Sequence, residues 1–133
     1  MAGAASIKTT MTVTGLGDTV EVTNTKTVTV PVEQADGYTI IATAQATAVQ
    51  LSDLAPQIAL AKMYALYVKA VVGTIYIKVD TAGTTTFLAA DAHLVLNVGE
   101  ACILPLNPAG NAGVAFDAAA ATDAMKWHLL GKA

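Results

Sequence analysis

The sequence predicts an all-β fold, an antiparallel β-sandwich built as a single domain over residues 1–133. Three observations predict it. Apolar and polar residues alternate with a period of two along much of the chain, which is the period that sends successive side chains to opposite faces of a strand. Turn residues interrupt the alternation at short, regular intervals, and no long helical patterns alternate with the strands, which argues against a parallel α/β arrangement. A chain of 133 residues also buries roughly two-thirds of the surface it exposes when unfolded, enough for a core without a metal or a disulfide.

The first third reads as strands. Ile7, Met11 and Val13 alternate with Lys8, Thr10, Thr12 and Thr14, which assigns one face inward and one outward. GLGD at 15–18 is a turn, and TVEV resumes the alternation through Val20 and Val22. A polar stretch at 23–26 leads to TVTVPV, with Val28, Val30 and Val32 in phase. Pro31 cannot donate to a ladder, so that strand lies at an edge or ends there. EQADG at 33–37 reads as a turn and YTIIATAQATAVQ at 38–50 as an alternating strand, broken by SDLAPQ and its Pro56.

YALYVKAVVGTIYIKVD at 64–80 holds two apolar runs around Gly73. Leu66, Val68 and Ala70 alternate with Tyr67 and Lys69, and Ile75, Ile77 and Val79 alternate with Tyr76 and Lys78. The expectation is a β-hairpin turning at Gly73. A helix before Gly73 competes with it, because Leu54, Ile58, Ala61 and Ala65 stand near helical spacing and Ser52 is available as an N-cap. Lys62 and Lys69 interrupt the apolar window 58–77, and each would cost roughly 2.5–3.5 kcal/mol at a bilayer centre, so no membrane partner is expected.

In the last third, TAGTTTF at 81–87 turns into a strand, and AHLVLNV carries Leu94, Leu96 and Val98 on one side before a turn at Gly99. ACILPL is a short strand ended by Pro105, and NPAGNAG at 107–113 is a loop. VAFD precedes an alanine run at 118–121 that makes either a helical turn or a crowded loop. MKWHLL closes the chain with Met125, Trp127 and Leu129 on one face and His128 on the other. Eight to ten such strands suggest a jelly-roll-like sandwich with room for one short helix.

The same residues argue against several functions. All seven basic residues are lysine, and without arginine there is no planar fork to read phosphate or base edges. A net charge of −3 and a pI near 5.1 weaken nucleic acid as a partner further. Cys102, the single cysteine, sits in an apolar run with Glu100 as its only close charge and reads as a small buried hydrophobe. His93 and His128 lack the spacing of a metal cluster. Ser6 and Ser52 lie in no nucleophile elbow, and Asp80, Asp91, Asp117 and Asp123 fall mostly at strand ends, where aspartates make turns. The short Gly-x-Gly in TGLGDT joins two strands and not a strand and a helix, so it reads as a hairpin turn. Thr23, Thr25, Thr27 and Thr29 form a row but recur at no solenoid period, which leaves them as the wet face of a strand. Trp127 shares a face with Met125 and Leu129 and is expected in the core, which argues against a carbohydrate platform. MAGAAS lacks a basic start before an apolar core, so no leader is expected. No catalytic, cofactor-binding or metal-binding residue is named, no cofactor is expected, and the chain is not expected to be an enzyme.

From Asp53 onward the order of elements is DLAPQIALAKMYALYVKA, GTIYIKVD, TAGTTTFLAADAHLVLNVGEACILPLNPAGNAG and DAMKWHLLGKA. This order resembles small β-sandwich structural proteins of tailed bacteriophage virions. There a Leu-Tyr-Val-Lys strand is followed by a second strand, a Thr/Ala-rich turn, a Leu-rich strand, a Gly-Glu turn, an Asn-Pro loop and a C-terminal strand. These are patterns of strand and turn, and they assign no functional residues. The resemblance implies a non-enzymatic virion structural protein, foremost a capsid decoration (cement) protein. Such a protein binds and stabilises the major capsid lattice as a homo-oligomer, for example a trimer, and is assembled in the host cytoplasm. Its partners would be the major capsid protein or other virion proteins. A tail or head-tail connector component of the same fold is the near alternative, and a carbohydrate-binding module the more distant one.

Overall fold

The period-two runs become strands in the computed structural model of the chain, which describes residues 4–15, 17, 20–29, 33–41, 49–79, 89–106 and 114–131. β1 (Ala4–Val13) and β2 (Val20–Thr29) form a separate two-stranded antiparallel hairpin. The body comprises β3 (Glu33–Ile40), β4 (Val49–Gln50), β5 (Met63–Val72), β6 (Ile75–Val79), β7 (Leu94–Leu96), β8 (Ala101–Pro105), β9 (Val114–Ala118) and β10 (Ala124–Gly131). One sheet has the order β3-β10-β5-β8 and the other β4-β9-β6-β7.

The pairings nest. β3 pairs with β10, β4 with β9, β5 with β8 and β6 with β7, so the body is one long antiparallel ribbon folded at the β6–β7 connection. Rolling the ribbon brings β10 against β5 and β9 against β6, which completes the two sheets. That is the jelly roll, and the all-β sandwich expected from the alternation is the fold observed.

The core lies between the sheets. β5 contributes Leu66, Val68 and Ala70, and β10 contributes Met125, Trp127 and Leu129. From the other sheet come Ile75 and Ile77 of β6, Phe116 of β9 and Leu96 of β7. Full burial of each large apolar side chain is worth about 1.5–3 kcal/mol relative to leaving it in water. Trp127 fits because β3 carries Gly37 opposite it: a Cβ there would come within 2.7 Å of the indole. The indole N–H donates to Thr39 Oγ1 at 3.0 Å.

Several expectations change. β5 and β6 are strands as expected, but they belong to different sheets and make no hairpin. Gly73, at φ +66, turns the corner where the chain crosses from one sheet to the other. The Asp123 carboxylate fills the space a side chain at Gly73 would need; Asp123 Oδ2 accepts from Thr74 N–H at 3.1 Å and Ala120 N–H at 2.9 Å. The corner is thereby tied to the β9–β10 connection, and Thr74 C=O accepts from Ala119 N–H across the same gap.

The helix competing for the segment before Gly73 does not form there. Among the described residues before Gly73, helix is confined to α1 (Leu51–Leu54) and a 3-10 turn at Leu60–Lys62, after which Met63 begins β5. The N-cap is Gln50 in place of Ser52, and its N–H donates to Asp53 Oδ2 at 2.9 Å. EQADG is strand, not turn: it opens β3, held by antiparallel pairing with β10 despite its turn-prone residues. VEV of the TVEV run and the first half of TVTVPV are one continuous strand, β2. Pro31, the alanine-rich run at 42–48, Asp80, TAGTTTF and NPAGNAG lie outside the described residues. The largest departure concerns the hairpin, whose apolar side was expected to face inward: Met11 is 58% exposed and Val22 55%.

Candidate functional site

The groups that could do chemistry are dispersed. His93 stands beside the second sheet, its Nδ1 within 3.1 Å of the Val79 N–H that donates to it. His128 stands on the outer face of the first sheet, 3.2 Å from Gln34 Oε1. Among the described residues no group of three or more His, Cys, Asp or Glu side chains converges as a metal site would. Cys102 is half-buried in β8 and packs against the core, and burial pushes its thiol pKa up, away from the reactive thiolate. The carboxylate of Glu100 is engaged in a turn, accepting from Asn97 N–H at 2.7 Å and Asn97 Nδ2 at 3.1 Å. Asp117 is buried and accepts from Ala118 N–H at 2.8 Å, Asp123 caps the corner at Gly73, and Asp91 lies in a 3-10 turn. Ser6 is in β1 and Ser52 in α1, neither beside a histidine in sequence. Gly15 and Gly17, both at positive φ, fall between β1 and β2, so the short Gly-x-Gly is a hairpin turn.

What the fold builds instead is a surface. Register defines rows across the outer face of the first sheet. Asp36, His128, Tyr67 and Ile103 form one row, and Tyr38, Lys126, Lys69 and Ala101 form the next. Beyond these, Ile40 and Val72 flank Ala124.

β1 crosses this face at its other end. A cavity of about 510 Å³ separates Ser6, Ile7 and Lys8 from His128 and Leu130 of β10 and Tyr67 of β5. A second, of about 280 Å³, separates Thr9 and Asn24 from Tyr64 of β5 and Pro105 of β8. Ile7 and Ala65 line both. Ala65 points out of the sandwich, level with Leu130 and Pro105, yet it is buried, as expected of a position covered by the hairpin. The Tyr64 hydroxyl is buried with no hydrogen-bond partner among the described residues, and burial raises its pKa.

Ile103 of β8 also lines both cavities, so from Ile7 to Thr9 the hairpin leaves β10 while staying over β5 and β8, the edge strand. Past Thr9 no hairpin residue but Asn24 lines either cavity, and the described side chains from Thr10 to Asn24 are exposed. In this outer half Met11 is paired with Val22, and on the opposite face Thr10 meets Thr23 at 3.3 Å between hydroxyls while Thr23 reaches Glu21 at 3.2 Å. The hairpin is an arm whose base rests on the first sheet and whose tip rests on nothing in its own chain among the described residues.

At the far end of the same face, Tyr38 is 57% exposed and Ile40 61%, with Val72 beside them. Sequence reasoning missed both patches because alternation identifies an apolar side without saying whether another layer covers it. A signal was present in the arm, where threonine is the commonest residue and no aromatic side chain occurs.

Comparison with protein-family models, with curated proteins and with solved structures returns no match. Among the described residues no helix is long and apolar enough to cross a membrane.

Proposed function

We propose that the protein is a non-enzymatic structural subunit of a virus particle, foremost a capsid decoration protein that binds the major capsid lattice and stabilises it as an oligomer. The observation that carries this reading is a jelly roll bearing a β-hairpin arm with an exposed apolar tip. Jelly rolls serve capsids, lectins and cupins, and the three uses need different surfaces. A cupin gathers histidines and carboxylates inside its sandwich, whereas His93 and His128 stand outside opposite sheets. A lectin presents aromatic platforms, whereas Trp127, the single tryptophan, is buried against Gly37. A shell subunit needs area for neighbours, and apolar side chains are exposed here on the arm and on the sheet.

The low content of charged residues, 13%, suits interfaces, whose centres are depleted of charge. The test is co-sedimentation of the purified chain with undecorated particles of the virus that encodes it, followed by cryo-electron microscopy. The expected result is saturable binding at symmetry-related lattice positions and a higher disruption temperature. Density at the tail or the connector would move the protein to that location, and absence from the particle would overturn the reading.

A further inference from the structure

We infer that the arm is a movable strap: its base leaves the outer face of the first sheet and returns, so that docked and lifted arms coexist. This goes beyond the proposed function and does not depend on it.

Little joins the arm to the body. β1 is paired with β2 along its whole length, from Ala4 with Thr29 to Val13 with Val20, so the ladder that holds the arm together is internal. The side-chain hydrogen bonds of Thr10 with Thr23 and of Thr23 with Glu21 are internal as well. Among the described side chains and backbone groups, no hydrogen bond or ion pair runs from the arm to the body. The body, for its part, completes both four-stranded sheets without the arm.

The packing between them is sparse. Ala5, Ile7, Thr9 and Met11 share one face of β1, and Asn24 and Val22 stand opposite the last two. Ile7 and Thr9 line the cavities over the sheet, so this face is the one turned toward it. On it Ala5 and Ile7 are only partly buried, whereas Thr9, Met11, Val22 and Asn24 are exposed. Close-packed interiors hold few voids larger than a water molecule, yet about 510 and 280 Å³ separate arm from sheet here.

The surface beneath the arm gains little from being covered. Ala65, buried there, has only a methyl group to hide. Tyr64 lines the smaller cavity, and its hydroxyl, without a partner among the described residues, lends the arm no hydrogen bond. Segments with few buried apolar contacts open at low free energy. Ile7 draws the arm down, and the polar pair Thr9 and Asn24 stands where apolar side chains would close the gap, so the two act in opposite directions.

The experiment is pulsed electron paramagnetic resonance on the full chain, with nitroxide labels at Thr12→Cys on the arm and Lys126→Cys on the first sheet, both exposed positions. Cys102→Ala removes the single native cysteine, and dilution with unlabelled chain suppresses distances between copies. Two distance populations are expected, the minor one at about 10% or more. Ile7→Ser removes the large side chain that reaches the sheet and should shift their ratio about tenfold toward the lifted arm. Thr9→Val with Asn24→Leu fills the gap with apolar groups and should shift the ratio about tenfold the other way. These substitutions lie in the arm, and circular dichroism melts check that the body stays folded. A single population in the wild type would overturn the inference. So would either variant leaving the ratio unchanged, or both shifting it in the same direction.

Discussion

The arm and the body are written in the same alternating pattern and end in opposite environments. In β10, Met125, Trp127 and Leu129 are buried because a second sheet lies over them. In the arm, Met11 and Val22 occupy the same kind of position and face solvent, because two strands supply no second layer. A two-stranded ribbon is marginal by itself in water. The arm is therefore held where Ile7 reaches the sheet near Ala65, and the described side chains of its outer half stand in solvent. Amphipathic strands do not create a core; opposed layers do.

The largest separation between the two regions should come from truncation. Phe116→Ala, fully buried in β9, is expected to cost about 3–5 kcal/mol in urea unfolding. Met11→Ala should change the same measurement by less than about 0.5 kcal/mol, as for any exposed side chain without a special role. Similar losses at both positions would mean that the arm is part of the core.

Glycines sharpen the contrast. Gly73→Ala adds a left-handed backbone penalty and forces the Asp123 carboxylate off two backbone N–H groups, so a loss of about 2–4 kcal/mol is expected. Gly15→Ala has a similar φ but open space around it, and should cost about 1 kcal/mol, confined to the arm. Hydrogen exchange would show faster exchange in β1 and β2 with β5 and β10 unchanged.

Asp123→Ala is expected to cost about 2 kcal/mol by leaving the Thr74 and Ala120 N–H groups without an acceptor. Combined with Gly73→Ala it should cost less than the sum, because both changes undo one corner. Additive losses in a double-mutant cycle would show the two to be independent.

An effect of the opposite sign lies where arm meets body. Tyr64→Phe removes a buried hydroxyl that has no partner among the described residues, and is expected to be neutral or stabilising by about 1 kcal/mol. Its pH dependence has a definite sign. Burial raises the phenol pKa above its ordinary 10.0, so the folded chain holds the proton more tightly than the unfolded chain. The stability this contributes is complete below pH 10.0 and falls as the pH rises through the folded value. Cys102 behaves the same way from its ordinary 9.0 upward. Urea midpoints measured from pH 8 to 11 should decline for the wild type and less steeply for Tyr64→Phe and Cys102→Ala.

Much of the fold was legible along the chain. MKWHLL became β10 with its expected inward face, ACILPL became β8 and the turn at Gly99 formed. EQADG was misread because Asp and Gly are turn-prone by local propensity, while pairing with β10 supplied the ladder and the place for Trp127 that local propensity lacks. The corner at Gly73 was misread for a related reason. A glycine between two apolar runs is compatible with a hairpin or with a crossing between sheets, and only the fit of Asp123 against Gly73 and the pairing of β5 with β10 separate the two.

By itself, then, the sequence determined, for the alternating runs that became strands, which side is apolar, because a period of two is a property of neighbouring residues along one strand. The tertiary structure alone decided which strands are neighbours, and so whether an apolar side is buried or left exposed. Those outcomes depend on contacts between residues distant in sequence, such as Ala4 with Thr29 in the arm and Gln34 with Leu130 in the body, whose formation no local pattern encodes.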